Sequence, residues 1–322
     1  MNRRDFIKWT IGGVMAGALG TGIGILFKKI CPVTILSVSD SEKDIVKELI
    51  QIMKDDEIVL NQKKVIIKPN FVEYHHGRPI NTDVSLIGQV AEACFKMGAL
   101  SVAVGEAAGH RRDPSYSVFN PALRAKLNKK VSLLDLNHCS GVKIKNMGDL
   151  TDFKFWNIAE PIANADFVIN MPKMKTHHWA GVTLSLKNYF GVLPGAFYGW
   201  PKNPLHFAGI ENSIADLARS IQPNYVIVDG IIGMEGDGPI MGDPKKVGAV
   251  VMGKFPLAVD SICSRLMGFD PYLLPSLKQT GWYLPGLNLK NIQLRGENPF
   301  QFSQSFSCLP VFDFAKKKAD WS

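Results

Sequence analysis

The sequence predicts an α/β protein with a mostly parallel sheet that is covered by helices on both faces. Short apolar runs such as Val65–Ile67 and Tyr225–Val228 contain no polar residue, which is typical of strands buried on both faces. Amphipathic stretches of helical period, such as Ile210–Ile221, lie between such runs. Strands that alternate with helices favour a parallel sheet. The sequence also predicts an N-terminal export signal or membrane anchor before this domain.

Each element is predicted from its own local pattern. A helix starts after Asp40, and a second runs from Asp83 to Gly98, because Asp favours a helix start and Gly a helix end. Pro69 ends the second strand, since proline has no backbone donor for a sheet. A short hairpin is expected around Phe153–Trp156. The strands are predicted at residues 33–38, 65–67, 101–104, 131–136, 167–169, 225–228 and 247–252, with further helices at 210–221 and 257–267.

The composition is that of a globular protein with a sizeable core. The chain has 322 residues, of which 46% are hydrophobic and 20% charged, and its net charge is +8. Five basic residues and one acidic residue lie in the first thirty positions, so half of this charge belongs to the N-terminus. The mild excess that remains suits an anionic small ligand. No basic run is interleaved with aromatic residues, so nucleic acid is not expected as a partner.

Cysteine usage argues against metal clusters held by thiolates. The five cysteines are far apart and form no CxxC pair. An iron-sulfur cluster or a structural zinc site is therefore not expected, and an odd, scattered set does not indicate a disulfide framework.

The N-terminus resembles a twin-arginine export signal. Arg3 and Arg4 are followed by Phe6, Ile7 and Lys8, and then by an apolar run over residues 11–27. The resemblance implies the twin-arginine translocase as a partner and a periplasmic or other extracytoplasmic location. The apolar run has 17 residues, the lower limit for a membrane span. Removal of the signal and retention as a membrane anchor both stay open, and residues 1–30 are set apart from the fold.

Polar side chains follow four of the predicted strands. The carboxyl ends of parallel strands share one edge of a sheet, where ligands of open α/β sheets bind. We therefore expect these side chains to converge on one crevice. They are Lys68 and Asn70, Glu106 and His110, Lys173 with Lys175 and His177, and Asp229.

Several of these residues suit catalysis or binding. Lysines can grip a phosphate or carboxylate, or act as bases when they are desolvated, and histidine and carboxylates exchange protons. Glycines let a backbone approach a ligand closely. The predicted catalytic residues are Lys173, Lys175, His177, Glu106 and Asp229, and the predicted ligand- or cofactor-binding residues are Lys68, Asn70, Lys187, Asn188, Gly236 and Gly238.

A divalent metal is a further option at this edge. Imidazole and carboxylate ligands suit zinc, manganese or iron, and the candidates are His110, His177, Asp229 and Glu235. The adjacent His177 and His178 point in different directions, so at most one of them is expected to bind a metal there. Neither a Walker phosphate loop nor a dinucleotide-binding glycine motif occurs in a suitable context.

The motifs together resemble the domain of unknown function 362 family. They are KPN at 68–70, GEAAGH at 105–110, PKMKTH at 172–177, SLKN at 185–188, VDG at 228–230, GDGP at 236–239 and the region of residues 258–260. The resemblance covers residues 33–270 and implies one α/β domain, followed by a peripheral extension at 271–322. Some members of that family carry twin-arginine signals, and some are fused to ferredoxin-like modules, which this chain lacks.

Two functions of different class stay open at this point. The first is an exported enzyme that acts on an anionic small molecule through the lysines, histidine and acids of the sheet edge, with a divalent metal as an option. A distant analogy is with nickel-cofactor enzymes of the lactate-racemase kind. The second is a non-catalytic protein that binds a metal or cofactor, or assembles an exported redox partner.

Overall fold

A computed structural model describes residues 29–73, 77–109, 113, 117–317 and 321. Its centre is a ten-stranded sheet, and two further strands form a separate hairpin. The strands are β1 (Cys31–Ser37), β2 (Lys64–Pro69), β3 (Ser101–Glu106), β4 (Ser132–Asp135), β5 (Gly141–Lys145), β6 (Phe155–Ala159), β7 (Phe167–Met171), β8 (Lys173–His177), β9 (Gly181–Thr183), β10 (Tyr225–Glu235), β11 (Asp243–Gly253) and β12 (Ile292–Gly296). The order in the sheet is β12-β1-β11-β10-β7-β2-β3-β4, with β8 added beside β10 and β9 beside β8, and the hairpin consists of β5 and β6.

The sheet is mostly parallel, as predicted. The central run of β10, β7, β2, β3 and β4 is parallel throughout, and the pairs of β10 with β8 and of β1 with β12 are parallel as well. The antiparallel pairs are β1–β11, β10–β11 and β8–β9. The pair β10–β11 is a long hairpin with no helix between its strands, because the Gly236–Pro239 segment turns the chain directly back.

Helices cover both faces of the sheet, which confirms the predicted layering. They are α1 (Val46–Asp55), α2 (Val84–Lys96), α3 (Pro121–Lys126), α4 (Glu160–Ala163), α5 (Ser185–Asn188), α6 (Gly195–Tyr198), α7 (Asn203–Phe207), α8 (Ile210–Ser220), α9 (Pro256–Leu266) and α10 (Pro275–Thr280), with short 3₁₀ helices at Tyr189–Val192, Leu289–Asn291, Pro299–Gln301 and Pro310–Ala315.

Alternation along the strands divides the core in two. Ile67 of β2 packs with Leu49 of α1 and Leu86 of α2, whereas the adjacent Ile66 belongs to the core that includes Leu217 of α8 and Ile262 of α9. Successive side chains of a strand point to opposite faces, so one apolar run supplies both cores. This arrangement explains why the strand sequences carry no polar alternation.

The start of α2 and the C-terminal segment are both fixed by specific contacts. Asp83 accepts hydrogen bonds from the backbone N–H groups of Ser85 and Leu86 at 2.8 and 3.1 Å, so it caps α2 as predicted. The segment predicted as a peripheral extension contributes β12, which pairs in parallel with β1, and it buries Phe306 in the core.

The predicted export signal lies outside the described residues, apart from its last two positions. Within the part of the chain that the structure describes, no helix combines the length and the apolar character that a membrane crossing requires.

Candidate functional site

The Lys173–His177 segment, which follows the predicted strand at residues 167–169, is itself a buried strand, β8. Strand β10 has eleven residues, whereas its neighbour β7 has five. Beyond its pairing with β7, β10 therefore keeps a free edge, and β8 occupies this edge in parallel register. The charged side chains of β8 are thus fixed by a sheet and not by a flexible loop.

Lys173 and Asp229 form a buried ion pair. They are cross-strand partners of β8 and β10, and Lys173 Nζ lies 2.8 Å from Asp229 Oδ2. The carboxylate also accepts hydrogen bonds from the backbone N–H groups of Asp83, at 2.8 Å, and Ile231, at 3.1 Å. Asp229 therefore ties two strands to the loop before α2.

A second buried ion pair joins Lys68 at the end of β2 to Glu106 at the end of β3. Lys68 Nζ lies 2.8 Å from Glu106 Oε2, which also accepts the backbone N–H of Phe71 at 2.9 Å. Both side chains are at most 2% exposed. Burial lowers the pKa of Lys68, and Glu106 opposes this shift by favouring the ammonium form.

Asn188 joins these strand ends into one network. Its Oδ1 atom accepts from Lys68 Nζ at 3.0 Å and from Asn70 Nδ2 at 2.9 Å, and its Nδ2 atom donates to Asn170 Oδ1 at 2.6 Å. Asn70 Oδ1 is buried and has no hydrogen-bond partner among the described residues. This acceptor, on a side chain that also bonds Asn188, has no donor, which is costly unless a ligand or water supplies one.

Asp260 of α9 holds the short helix that carries Lys187 and Asn188. Its carboxylate accepts hydrogen bonds from the N–H and hydroxyl groups of Ser185, at 2.8 and 2.6 Å, and from the N–H of Leu186 at 2.9 Å. Burial raises the pKa of Asp260 to about 7, against the lowering effect of these hydrogen bonds. The sequence did not predict this positioning role, although Asp260 lies in one of the motifs.

Two lysines of the site have no carboxylate partner among the described residues. Lys175 is fully buried, and its Nζ atom donates to the carbonyl oxygens of Ile80 at 2.7 Å and Pro239 at 3.3 Å. Lys187 is half-buried, with Nζ 4.3 Å from the centre of the Phe190 ring. Burial lowers the pKa of Lys175 well below its ordinary value, and it lowers the pKa of Lys187 to about 8. The positive charge of neighbouring lysines lowers both pKa values further.

Lys202 is a third such lysine, and the sequence did not predict it. It is 3% exposed, and its Nζ atom donates to the Ala107 carbonyl at 2.6 Å. Burial lowers its pKa to about 7, with Lys68 and Lys187 contributing in the same direction. Its backbone φ of +68° lies in the left-handed region, which a lysine adopts only when the surroundings impose it.

His177 is held in its neutral form. Its Nδ1 atom accepts hydrogen bonds from the backbone N–H groups of Trp179 and Ala180, both at 3.1 Å. A ring nitrogen that accepts carries no proton, so the proton of the neutral ring is on Nε2. Burial, followed by the positive charge of Lys187, lowers the pKa of His177 well below its ordinary value.

The predicted glycines support β8. The Gly236 carbonyl accepts the hydroxyl of Thr176 at 2.9 Å, and the Gly238 carbonyl accepts the N–H of His178 at 2.8 Å. A Cβ atom on Gly238 would overlap the Thr176 carbonyl. These two glycines therefore permit close backbone contact between the β10–β11 turn and β8, and they place Pro239 beside Lys175.

The three predicted metal ligands that the structure describes, His177, Asp229 and Glu235, are not grouped as a metal site. Asp229 is paired with Lys173, and Glu235 lies 3.2 Å from Lys245 Nζ and accepts the N–H of Ser307 at 2.9 Å. His110 lies outside the described residues. Among the residues that the structure describes, no three His, Cys, Asp or Glu side chains are grouped so as to hold a metal ion. The metal site stays a prediction.

Gly191 lies against the Lys68–Glu106 pair, where a side chain has no room. A Cβ atom at this position would overlap the Glu106 carboxylate and the Lys68 ammonium group. We expect Gly191→Ala to lower the free energy of unfolding by about 1–3 kcal/mol, the usual cost of overpacking. Chemical denaturation measures this. Gly109→Ala is the matched control, because no described atom lies within 4 Å of the added carbon; equal effects of both changes would contradict the close contact.

The family model described as "domain of unknown function (DUF362)" matches residues 65–265. The chain belongs to the DUF362 family. The matched region contains both buried ion pairs, the three further lysines and Asp260. The resemblance seen in the motifs is therefore confirmed.

The chain is similar to three proteins of other organisms. A thylakoid-associated protein of Synechocystis is 28% identical over 225 residues, which are 66% of each chain. A crystal structure of a Thermotoga maritima protein has a TM-score of 0.40 and 14% identity, over 65% of this chain and 55% of that one. The lactate racemase apoprotein of Thermoanaerobacterium thermosaccharolyticum has a TM-score of 0.44 and 16% identity, over 77% of this chain and 60% of that one. This chain thus covers less than two thirds of the two solved relatives.

Proposed function

We propose that this DUF362 protein binds an anionic small molecule at its lysine cluster, defined as Lys68, Lys173, Lys175, Lys187 and Lys202. One observation carries the proposal. Five lysines share this site with two ion-paired carboxylates, Glu106 and Asp229, so three lysines have no described carboxylate partner.

A bound anion would be electrostatically favourable at the lysine cluster, because it compensates the charge of the buried ammonium groups. An unpaired buried ammonium is costly, so it loses its proton or finds a counter-charge. The lowered pKa values of Lys175, Lys187 and Lys202 show that burial without a counter-charge disfavours the ammonium form of each. A phosphate, sulfate or carboxylate provides the counter-charge, and Asn70 Oδ1 remains as an acceptor for a hydroxyl or amide of the same ligand.

Sulfate is a suitable first probe, because its charge does not change near neutral pH. We expect titration calorimetry to detect sulfate binding, and Lys175→Met to weaken it at least about tenfold, since one lost charge-assisted contact contributes about 1.5–3 kcal/mol. Lys96→Met is the control, as Lys96 is an exposed lysine of α2 that pairs with Glu92. Absence of sulfate and phosphate binding, or equal loss in both variants, would count against the proposal.

An enzymatic role is the extension that the arrangement supports best. His177 carries its proton on Nε2 and lies near Lys175 and Lys187, so its N–H group can donate a hydrogen bond to a bound anion and stabilise negative charge that develops in a reaction. A carrier would bind the same ligand and release it unchanged. Native mass spectrometry of the isolated protein identifies the ligand, and chemical change of that ligand by the wild type but not by His177→Gln separates the two functions.

We propose that the protein is exported from the cytoplasm by the twin-arginine translocase. The support is the motif of Arg3, Arg4, Phe6 and Ile7 before the apolar run at residues 11–27. We expect replacement of both arginines by lysine to leave the protein in the cytoplasm, because the translocase recognises the arginine pair and not positive charge alone. Cell fractionation measures this, and the Lys28→Arg variant serves as a control; unchanged export of the double variant would exclude this route.

A further inference from the structure

A chain of aromatic rings leads from the buried His177 to the protein surface. The centres of the His177 and His178 rings lie 4.9 Å apart, and those of His178 and Trp179 lie 4.7 Å apart. His206 of α7 continues the chain, with its ring centre 4.9 Å from that of Trp179. Successive contacts at these distances make one continuous aromatic wall.

This wall borders the lysine cluster directly. The rings of His206 and Phe190 have centres 6.4 Å apart, and the ammonium group of Lys187 lies 4.3 Å from the centre of the Phe190 ring. At its inner end, the wall starts at His177, two residues after Lys175 on the same strand. Cations and aromatic rings therefore belong to one site.

The outer end of the wall is exposed. Trp179 is 55% exposed. A large aromatic side chain of this exposure, in a wall that continues to a buried cationic cluster, offers a planar ligand an apolar surface near its counter-charge.

We infer that the anionic ligand of this site also carries a planar aromatic ring, which stacks on Trp179 while its charged group lies among the lysines. This inference rests on the proposed function and names the class of ligand. An aliphatic anion uses the lysines alone and leaves the aromatic wall without a role. The half-buried His178 and the exposed Asp237, whose Nδ1 and Oδ1 atoms lie 3.8 Å apart, keep the surroundings of Trp179 polar, which favours a small ligand over the apolar interior of a membrane.

Two sulfonates of equal charge test the inference. Benzenesulfonate and methanesulfonate share one anionic group and differ in the ring. By titration calorimetry at constant pH, we expect the wild type to bind benzenesulfonate about tenfold more tightly, within the range of a single aromatic contact. Trp179→Leu is expected to remove this preference and to leave methanesulfonate affinity unchanged. Trp282→Leu, at a residue that is 63% exposed and outside the aromatic wall, is the matched control.

The outcomes separate this inference from the proposed function. If the wild type binds neither sulfonate, the anion site itself is wrong. If it binds both equally, the anion site stands and the aromatic ligand is wrong. Loss of methanesulfonate binding in Trp179→Leu would also overturn the inference, because Trp179 would then support the anion site and not a ring. Preferential binding of the wild type to lipid vesicles, abolished by the same variant, would assign the aromatic wall to a membrane instead.

Discussion

Asp229→Asn is expected to lower the free energy of unfolding by about 3–5 kcal/mol, the usual effect of breaking a buried ion pair. The change leaves the size of the side chain almost unaltered. It removes the counter-charge that lies 2.8 Å from Lys173 Nζ, and it weakens an acceptor of two backbone N–H groups. The buried ammonium is then left without compensation. Denaturant unfolding at neutral pH measures the loss.

A second pair provides the comparison. Lys96 Nζ and Glu92 Oε1 lie 2.7 Å apart, almost the same separation, but both side chains are 54% exposed. Water replaces the lost partner there, so Glu92→Gln should leave the denaturation midpoint nearly unchanged.

The double variant identifies the cause of the loss. Lys173→Met removes the ammonium group that Asp229→Asn leaves unpaired, so it should cost less in the Asp229→Asn background than in the wild type. Additive effects of the two changes would show that the ion pair itself does not account for the loss.

Apolar patterning predicted the central fold for a physical reason. A strand buried on both faces has to be apolar throughout, as at Val65–Ile67, and an amphipathic helix has to repeat its apolar residues at the helical period, as at Ile210–Ile221. Both patterns are local, so they can be recognised without the tertiary structure. The convergence of Lys68 and Glu106, each at the end of its strand, then followed from the shared edge of parallel strands.

Apolar periodicity shows neither the direction of a strand nor the presence of a strand that carries charged residues. Residues 247–252 of β11 are as apolar as a parallel strand, and their periodicity does not show that this strand runs antiparallel to β10. In β8, Lys173, Lys175 and His177 give a polar sequence, although all five residues are buried. Their burial depends on partners such as Asp229 and the Ile80 carbonyl, which are distant in sequence.

The same reason explains why Lys202 was missed. It follows no strand, and its neighbourhood of glycine, tryptophan and proline is typical of a surface loop. Only the fold places its Nζ atom beside Ala107, at the end of β3. A sequence also does not show which lysines are ion-paired. Lysines without a carboxylate partner are the ones that favour binding of an anionic ligand.

Replacement of Lys202 should therefore stabilise the protein, in contrast to replacement of the paired Lys68. Methionine has a similar length and no charge to desolvate. We expect Lys202→Met to raise the free energy of unfolding at pH 7 by about 1–4 kcal/mol, since a pKa change of one unit corresponds to about 1.4 kcal/mol. Lys68→Met should lower the same free energy, because it leaves the Glu106 carboxylate buried without its partner.

The pH dependence of this gain follows from proton linkage. The pKa of Lys202 is about 7 in the folded protein and 10.5 in its ordinary environment. Between these two pH values Lys202 is protonated in the unfolded chain but largely neutral in the folded protein. The unfolded chain therefore binds more protons, and the free energy of unfolding rises with pH in this range. The cost of Lys202 is fully present below pH 7 and disappears above pH 10.5.

Denaturation of the wild type and Lys202→Met, measured at several pH values without added anions, tests this dependence. The advantage of the variant should be largest at pH 7 and below, and it should shrink steadily toward alkaline pH.

Saturating sulfate should reduce the advantage further at pH 7, because the anion stabilises only a protein that retains its cations. A gain that is independent of both pH and sulfate would show that Lys202 is destabilising for steric reasons, and a loss of stability would show that its ammonium group already has a sufficient partner. Residues that cost stability when unoccupied and bind when occupied are the signature of a ligand site, so this single substitution bears on the function as well as on the fold.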